Sequence, residues 1–376
     1  MAQTKINDSQ AVKKWAGALF GAAFVKSFYG SKLMASTKLV GKAGQMANAP
    51  IGVINDLESG AGDNVSFDMF VQLKGRGTYG DDVLEGNEED LTAFTDEVKI
   101  NQVRHGVTPG GKMNQKRTIN DLRAIAKVKL ERWHANHFDD VVMTTLGGGR
   151  GHAKDLYIPL GATAPIRGTM DYQQYDADSV VYGGSATSKA SMTAADTMSL
   201  DMIDELVLKS KRGGKADGEF RMEPLEESAE EYYMLTLSPE QIHDLRKDTG
   251  TGGWLDIQKA AAAANGYQNH IFKGSAGEYN KVHIKEVNSV VTYNDFGAGN
   301  NVKAHTGVFM GRQAAVVAFG SASDKNMRAN WEEKEKDYGN QVGISAGMVY
   351  GTKLPAFDGK VVNSMAAYTA VSKSRT

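Results

Sequence analysis

GVTPGGKM, Gly106 to Met113, is the stretch whose reading decides the fold. Taken one way it opens a phosphate-cradling P-loop, with glycine, four residues, glycine and lysine in order. Taken the other way it is a Pro-Gly-Gly turn that re-aims a chain leaving a strand into a helix. A P-loop needs Ser or Thr after the lysine, because that hydroxyl ligates magnesium. Here the position is Met113, whose thioether does not hold a hard cation. Pro109 also removes a backbone N–H from the would-be phosphate nest. The best candidate for the partner strand of such a site, VVTYND ending at Asp295, is interrupted by polar residues. The turn reading prevails, with a strand expected before it and a helix after it.

Upstream, VSFDMFVQL (Val65–Leu73) and EVKINQVRHGV (Glu97–Val107) alternate apolar and polar residues as half-buried strands do. Between them, KGRGTYGDDVLEGNEEDLTAF is rich in glycine and acid. The pattern predicts a long hairpin with an acidic tip, and so long a loop implies a function. Downstream, Ile119, Leu122, Ala126, Leu130, Trp133, His137 and Val141 recur at helical spacing. They predict one helix from Asn114 to Leu146, about 50 Å long at about 1.5 Å per residue. The glycines 147–149 end it as a C-cap.

The remaining chain reads as α+β. Residues 30–56 are small and weakly patterned, which suggests an extended arm; 150–192 read as irregular. Helices are expected at Ser199–Lys211 and Trp254–Asn265, and Ser238-Pro239-Glu240-Gln241 is a capping box that starts another. Strands are expected at Tyr232–Leu237, Val282–Val291, Thr306–Met310, Trp331–Asp337 and Gln341–Tyr350.

Composition narrows the function classes. The chain has 376 residues and no cysteine, which excludes disulfides, thiolate metal sites and a cysteine nucleophile. A net charge of −2 argues against a dedicated nucleic-acid binder. KKWAGALFGAAFVK (Lys13–Lys26) is too short to span a bilayer and lacks a signal-type cleavage site, so it reads as a short helix with one apolar side. His134, His137 and Asp140 are spaced to seat a metal on one helix face, but His137 lies on the apolar stripe and no H-E-x-x-H pattern is present. They read as core or interface residues. No catalytic, cofactor-binding or metal-binding residue is assigned.

Charge is unevenly spread. Residues 1–50 carry Lys5, Lys13, Lys14, Lys26, Lys32, Lys38 and Lys42 against Asp8 alone, whereas 81–97 carry Asp81, Asp82, Glu85, Glu88, Glu89, Asp90, Asp96 and Glu97 and no base. The expectation is an inter-subunit contact between Lys13, Lys14, Lys26 and Lys32 of one copy and Asp81, Asp82, Glu85, Glu88, Glu89 and Asp90 of another. Single exposed ion pairs contribute only about 0–1 kcal/mol, so the patches act together.

The segments SGAGDNVSFDMFVQLKG, DDVLEGNEEDL, VKINQVRHGV, RTINDLRAIAKVKLERWHANHFDD, HDLRKDTG, IFKGSAGEYNKVHIKEV and KDYGNQVGISAGMVYGTKLPAF occur in this order from Ser59 to Phe357. As an ordered set, matched over roughly Trp15 to Phe357, they resemble the major capsid proteins of tailed bacteriophages, the HK97-like family. The resemblance implies an N-terminal arm (1–56), an E-loop hairpin (57–112), a P-domain spine helix (113–148), an irregular loop or insertion (149–189), an A-domain (190–325), and a return to the P-domain with a C-terminal tail (326–376). Pro109, Gly110 and Gly111 become the hinge between E-loop and spine. The implied role is a structural one, with hexamers and pentamers closing an icosahedral shell around double-stranded DNA. Portal, scaffolding and decoration proteins are the implied partners, with no membrane and no cofactor. DNA contact would be nonspecific. The chain would be assembled in the host bacterial cytoplasm and reside in the virion. With no scaffold-like charged helical segment ahead of the arm, little N-terminal trimming and a separate scaffold are expected. Two alternatives are an encapsulin-type compartment, told apart by copurifying cargo instead of DNA, and a nucleotide- or metal-binding enzyme, told apart by ATP binding lost on Lys112→Ala.

Overall fold

The computed structural model describes residues 19, 22–38, 48–55, 62–70, 77–90, 93–148, 170–171, 174–212, 222–227, 230–247, 277–321 and 328–372. The helices that organise them are α1 (Phe28–Lys32), α2 (Lys112–Arg117), α3 (Leu122–Leu146), α4 (Leu200–Arg212) and α5 (Pro239–Lys247). None of the described helices is long and apolar enough to cross a membrane.

Two large sheets carry most of the rest. The first runs Met34–Lys38, Ile51–Ile54, Ala315–Phe319, Gln341–Lys353, Ala329–Lys336, with Asn101–Val107 and Met170–Asp171 also pairing with Gln341–Lys353. That 13-residue strand is its centre. Ile344, Ala346, Met348 and Tyr350 alternate along it and are all buried, so a period of two places one face against α3. Gly351 is required there, since a side chain would strike the Lys99 carbonyl. The second sheet runs Gly277–Tyr279, Val282–Glu286, Glu230–Leu237, Val302–Met310, Ser364–Ala370, Val180–Tyr182, with flanking strands Thr292–Phe296 and Leu225–Glu227. Helices α4 and α5 bury Leu200, Ile203, Leu206, Ile242 and Leu245 in a cluster with residues of that sheet.

The sequence expectations meet this architecture in detail. The first hairpin strand forms as Asn64–Phe70, but its partner is Ala93–Lys99, in antiparallel register from Asn64↔Lys99 to Phe70↔Ala93; most of the strand expected at Glu97–Val107 is instead Asn101–Val107, which pairs with Gln341–Lys353 in the first sheet. The capping box is made: Gln241 N donates to Ser238 Oγ at 3.1 Å and Ser238 N donates to Gln241 Oε1 at 2.9 Å. The Trp254–Asn265 helix lies outside the described residues.

Two expectations are corrected. The single helix from Asn114 is two helices, because Asp121 caps α3 by accepting from Arg123 N at 3.0 Å and Ala124 N at 3.2 Å. Ile119 therefore falls in the break and is fully exposed, not on the core stripe. Residues 30–56 are more than an arm, since Met34–Lys38 and Ile51–Ile54 pair in parallel within the first sheet. Sheet membership does not follow chain order throughout: Ala315–Phe319 belongs to the first sheet, and Ser364–Ala370 lies inside the second.

Candidate functional site

The Gly106–Met113 turn has a concrete geometry. Gly106 and Val107 are still in the ladder, opposite Ser345 and Ile344, so there is no six-residue loop to enclose a phosphate. The chain bulges out of the ladder over Thr108–Gly110, with Gly110 at φ +91°, a conformation that glycine adopts without steric cost. Gly111 bridges to Gln341, and Lys112 N donates to Asn340 O at 3.1 Å. Pro109, Gly110 and Gly111 thus join the strand Asn101–Val107 to α2 while tied to the neighbouring turn.

The hairpin has a fixed base and a bare end. Phe67 packs edge-on to Phe357 at 6.1 Å, and Val98 is wholly buried with Ile54, Val316 and Ala318. Asp96 lies 2.5 Å from Lys353 Nζ and accepts from Ala356 N at 3.1 Å, with both side chains about nine-tenths buried. A buried pair of this kind is costly to break from one side. Residues 79–90, by contrast, are exposed throughout, including Asp81, Asp82, Glu85, Glu88, Glu89 and Asp90. Tyr79, Val83 and Leu84 project from the same segment at 75%, 67% and 59% exposure.

The arm lysines fare differently. Lys13 and Lys14 lie outside the described residues, and Lys32 closes α1. Lys26 is engaged within its own chain, 2.8 Å from Glu131 on α3. Around it the segment is strapped down. Asp139 accepts from Ser27 Oγ (2.7 Å), Phe28 N (2.9 Å) and Tyr29 N (3.0 Å), and Phe24 rests on Phe138 with ring centroids 5.0 Å apart.

Helix α3 carries two faces. His134 Nε2 is 3.2 Å from the Ala346 carbonyl and His137 Nδ1 is 2.8 Å from the Tyr350 hydroxyl. Burial lowers both imidazoles to about 4, so they sit neutral as packing groups. Trp133 is stacked between His105 at 4.2 Å and His137 at 4.9 Å. Burial raises the Asp140 carboxyl to about 7, against the opposing hydrogen bond of Ser289, with Asp139 adding to the rise. Burial likewise raises Asp139. Among the described residues no group of three or more such side chains is placed to hold a metal ion. The other face holds Ile125 (41% exposed), Val128 (54%), Lys129 and Arg132, at positions i, i+3, i+4 and i+7.

Sequence reasoning missed Ile125 and Val128, although their spacing is as helical as that of the buried stripe. It also missed the Asp96–Lys353 pair and the Asp139 strap, which join residues far apart in the chain and leave no local signal.

Comparison with known proteins gives a consistent result. The family model described as phage capsid protein matches residues 3–363. The major capsid protein of Pseudomonas phage KPP25 is 29% identical over 368 residues, covering 89% of this chain and 86% of its own. The capsid of Ralstonia phage GP4 is 37% identical with a TM-score of 0.80, and the coverage is 100% of both chains. The cyanophage Pam1 capsid, at 18% identity, shares the fold with a TM-score of 0.71 over 100% of both chains.

Proposed function

This chain belongs to the phage capsid protein family, is a structural and not a catalytic protein, and forms the phage head shell by self-assembly with an HK97-like fold; from that premise we propose how its parts are used. Residues 1–56 serve as the arm, 57–112 as the E-loop, 113–148 as the spine of the P-domain, and most of 190–325 as the A-domain. Strand Ala315–Phe319 is assigned with the P-domain and strand Ser364–Ala370 with the A-domain, following their sheets. The Pro109-Gly110-Gly111 turn is the joint at which the E-loop is aimed. Copies arrange as hexamers and pentamers around double-stranded DNA.

The observation that carries this reading is the hairpin with its base locked by Asp96–Lys353 and its 79–90 end exposed. A fixed base aims the end outward, where it adds contact area on a neighbour without enlarging the core. Repetition by symmetry then multiplies modest contacts into a stable shell. Portal, scaffolding and decoration proteins are the further partners we assign to it. The net charge of −2 supports DNA contact that is weak and nonspecific.

The test is expression of the full chain with its phage's head-assembly proteins, then size-exclusion chromatography with light scattering and electron microscopy of the largest fraction. Hexamers, pentamers or closed shells are expected. A chain that stays monomeric at every salt and protein concentration overturns the reading.

A further inference from the structure

Between strand Val302–Met310 of the second sheet and strand Ala315–Phe319 of the first, the chain crosses over residues 311–314. Three consecutive N–H groups of that crossing reach three separate parts of the chain. Gly311 N donates to Asn363 O at 3.0 Å, Arg312 N to Glu223 O at 2.9 Å and Gln313 N to Ala49 O at 2.9 Å. Side chains complete the clasp. Arg312 is held 2.9 Å from Glu226 and 4.0 Å from Glu223, within and just ahead of strand Leu225–Glu227. Asn363 Oδ1 accepts from Glu223 N at 3.0 Å. Asn48 bonds the Glu226 backbone twice, accepting from its N–H at 3.0 Å and donating to its carbonyl. Residues 48–50, which lead into strand Ile51–Ile54 of the first sheet, are thereby tied to the second.

One residue of the clasp is an outlier. Gln313 sits at φ +54° without being glycine, is 8% exposed, and its Nε2 meets no acceptor among the described residues. Arg312 Nε is likewise unmet there. Left-handed backbone and unmet buried donors both cost stability, and such features collect where function demands one arrangement.

We infer that Arg312, with Asn48 and Gln313, positions the second sheet on the first and so sets the angle at which each copy presents that sheet to its neighbours. The inference rests on the shell reading above and names residues that act within it. Apolar packing also joins the sheets, since Met310, Ala314 and Leu225 share one buried cluster with residues of both. Such packing is non-directional, whereas hydrogen bonds weaken steeply when misaligned, so the polar clasp selects the angle. The angle matters because repeated head-to-tail contacts close only when the rotation between copies is right; otherwise they run on as open filaments.

The test separates positioning from stability. Full-length chains are assembled with their phage's head-assembly proteins, shell diameters are counted by electron microscopy, and urea unfolding is followed on the unassembled chain. Asn48→Ala changes an exposed residue and is expected to leave the urea midpoint unchanged. It is expected to raise the ratio of off-size shells and tubes to normal shells about fivefold or more, the factor carried by one hydrogen bond. Gln313→Gly relieves the left-handed backbone and is expected to disperse shell size without lowering the midpoint. Arg312→Met is expected to disperse shell size most, and Arg312→Lys to recover part of the loss. Shells of uniform wild-type diameter from Asn48→Ala or Gln313→Gly overturn the assignment. So does size dispersion that tracks loss of urea stability across the set, which would mark a packing role. Absence of shells from the wild-type chain overturns the shell reading instead.

Discussion

The two halves of α3 are built for different tasks. From His134 to Leu146 every residue but Asn136 is buried, including His134, His137, Asp139 and Asp140. From Leu122 to Arg132 only Ala126, Leu130 and Glu131 are buried, and Ile125 and Val128 face outward. The hairpin repeats the division, with Val98 and Asp96 held at its base and Val83 and Leu84 bare at its end. A shell subunit must be stable before it meets its neighbours and must still leave sticky surface for them. Here one helix does both, and the boundary in burial falls near Trp133.

The comparison is broken most severely by substitutions in the buried half. Phe138→Ala removes a ring packed on Phe24 and Tyr350, and is expected to cost about 3–5 kcal/mol in chemical unfolding of the unassembled chain. Asp139→Ala leaves Ser27 Oγ–H and the Phe28 and Tyr29 N–H groups without their acceptor, and is expected to cost about 2–3 kcal/mol. Its signature is faster proteolysis within residues 22–32, with the two sheets still protected.

Acidity sharpens the contrast. In the folded chain Asp140 holds its proton up to about 7, while in the unfolded chain it releases it near 3.8. Its contribution to stability therefore falls as pH rises from about 4 to about 7, and is constant above that. His134 and His137 act in the opposite direction. They stay neutral to about 4 when folded but take up protons below about 6.5 when unfolded, so stability falls as pH drops through that window. Asp140→Asn is expected to gain about 1–3 kcal/mol relative to wild type between pH 4 and pH 8, measured by urea unfolding at each pH.

The smallest effect on folding is expected from the exposed half. Ile125→Ser with Val128→Ser should change unfolding free energy by no more than about 0.5 kcal/mol per site. The same chain is expected to fail in assembly by size-exclusion chromatography.

Much of this division was legible in the sequence, and the rest was hidden for physical reasons. The hairpin, the turn at Pro109, the buried stripe through Leu130 and His137, the α5 capping box and the glycine cap at Gly147 all rest on local pattern. That is where pattern and structure agree. The break before Asp121 was concealed because Ile119 extends the apolar period into a segment that Asp121 caps. Strand Ile51–Ile54 is too short, and too close to glycine- and alanine-rich sequence, to declare itself. The resemblance of the ordered segments to capsid proteins supplied the purpose of the parts. Which lysine meets which acid was not legible, because Lys26–Glu131 and Lys353–Asp96 are set by the tertiary fold across the chain.

Electron cryomicroscopy of the assembled shell, at a resolution that shows side chains, is the most direct test of the claim that α3 is divided between fold and assembly. The account predicts density from a neighbouring copy against Ile125 and Val128, and intrachain packing alone around Phe138 and Asp139. Solvent over Ile125 and Val128 in every quasi-equivalent position would contradict it.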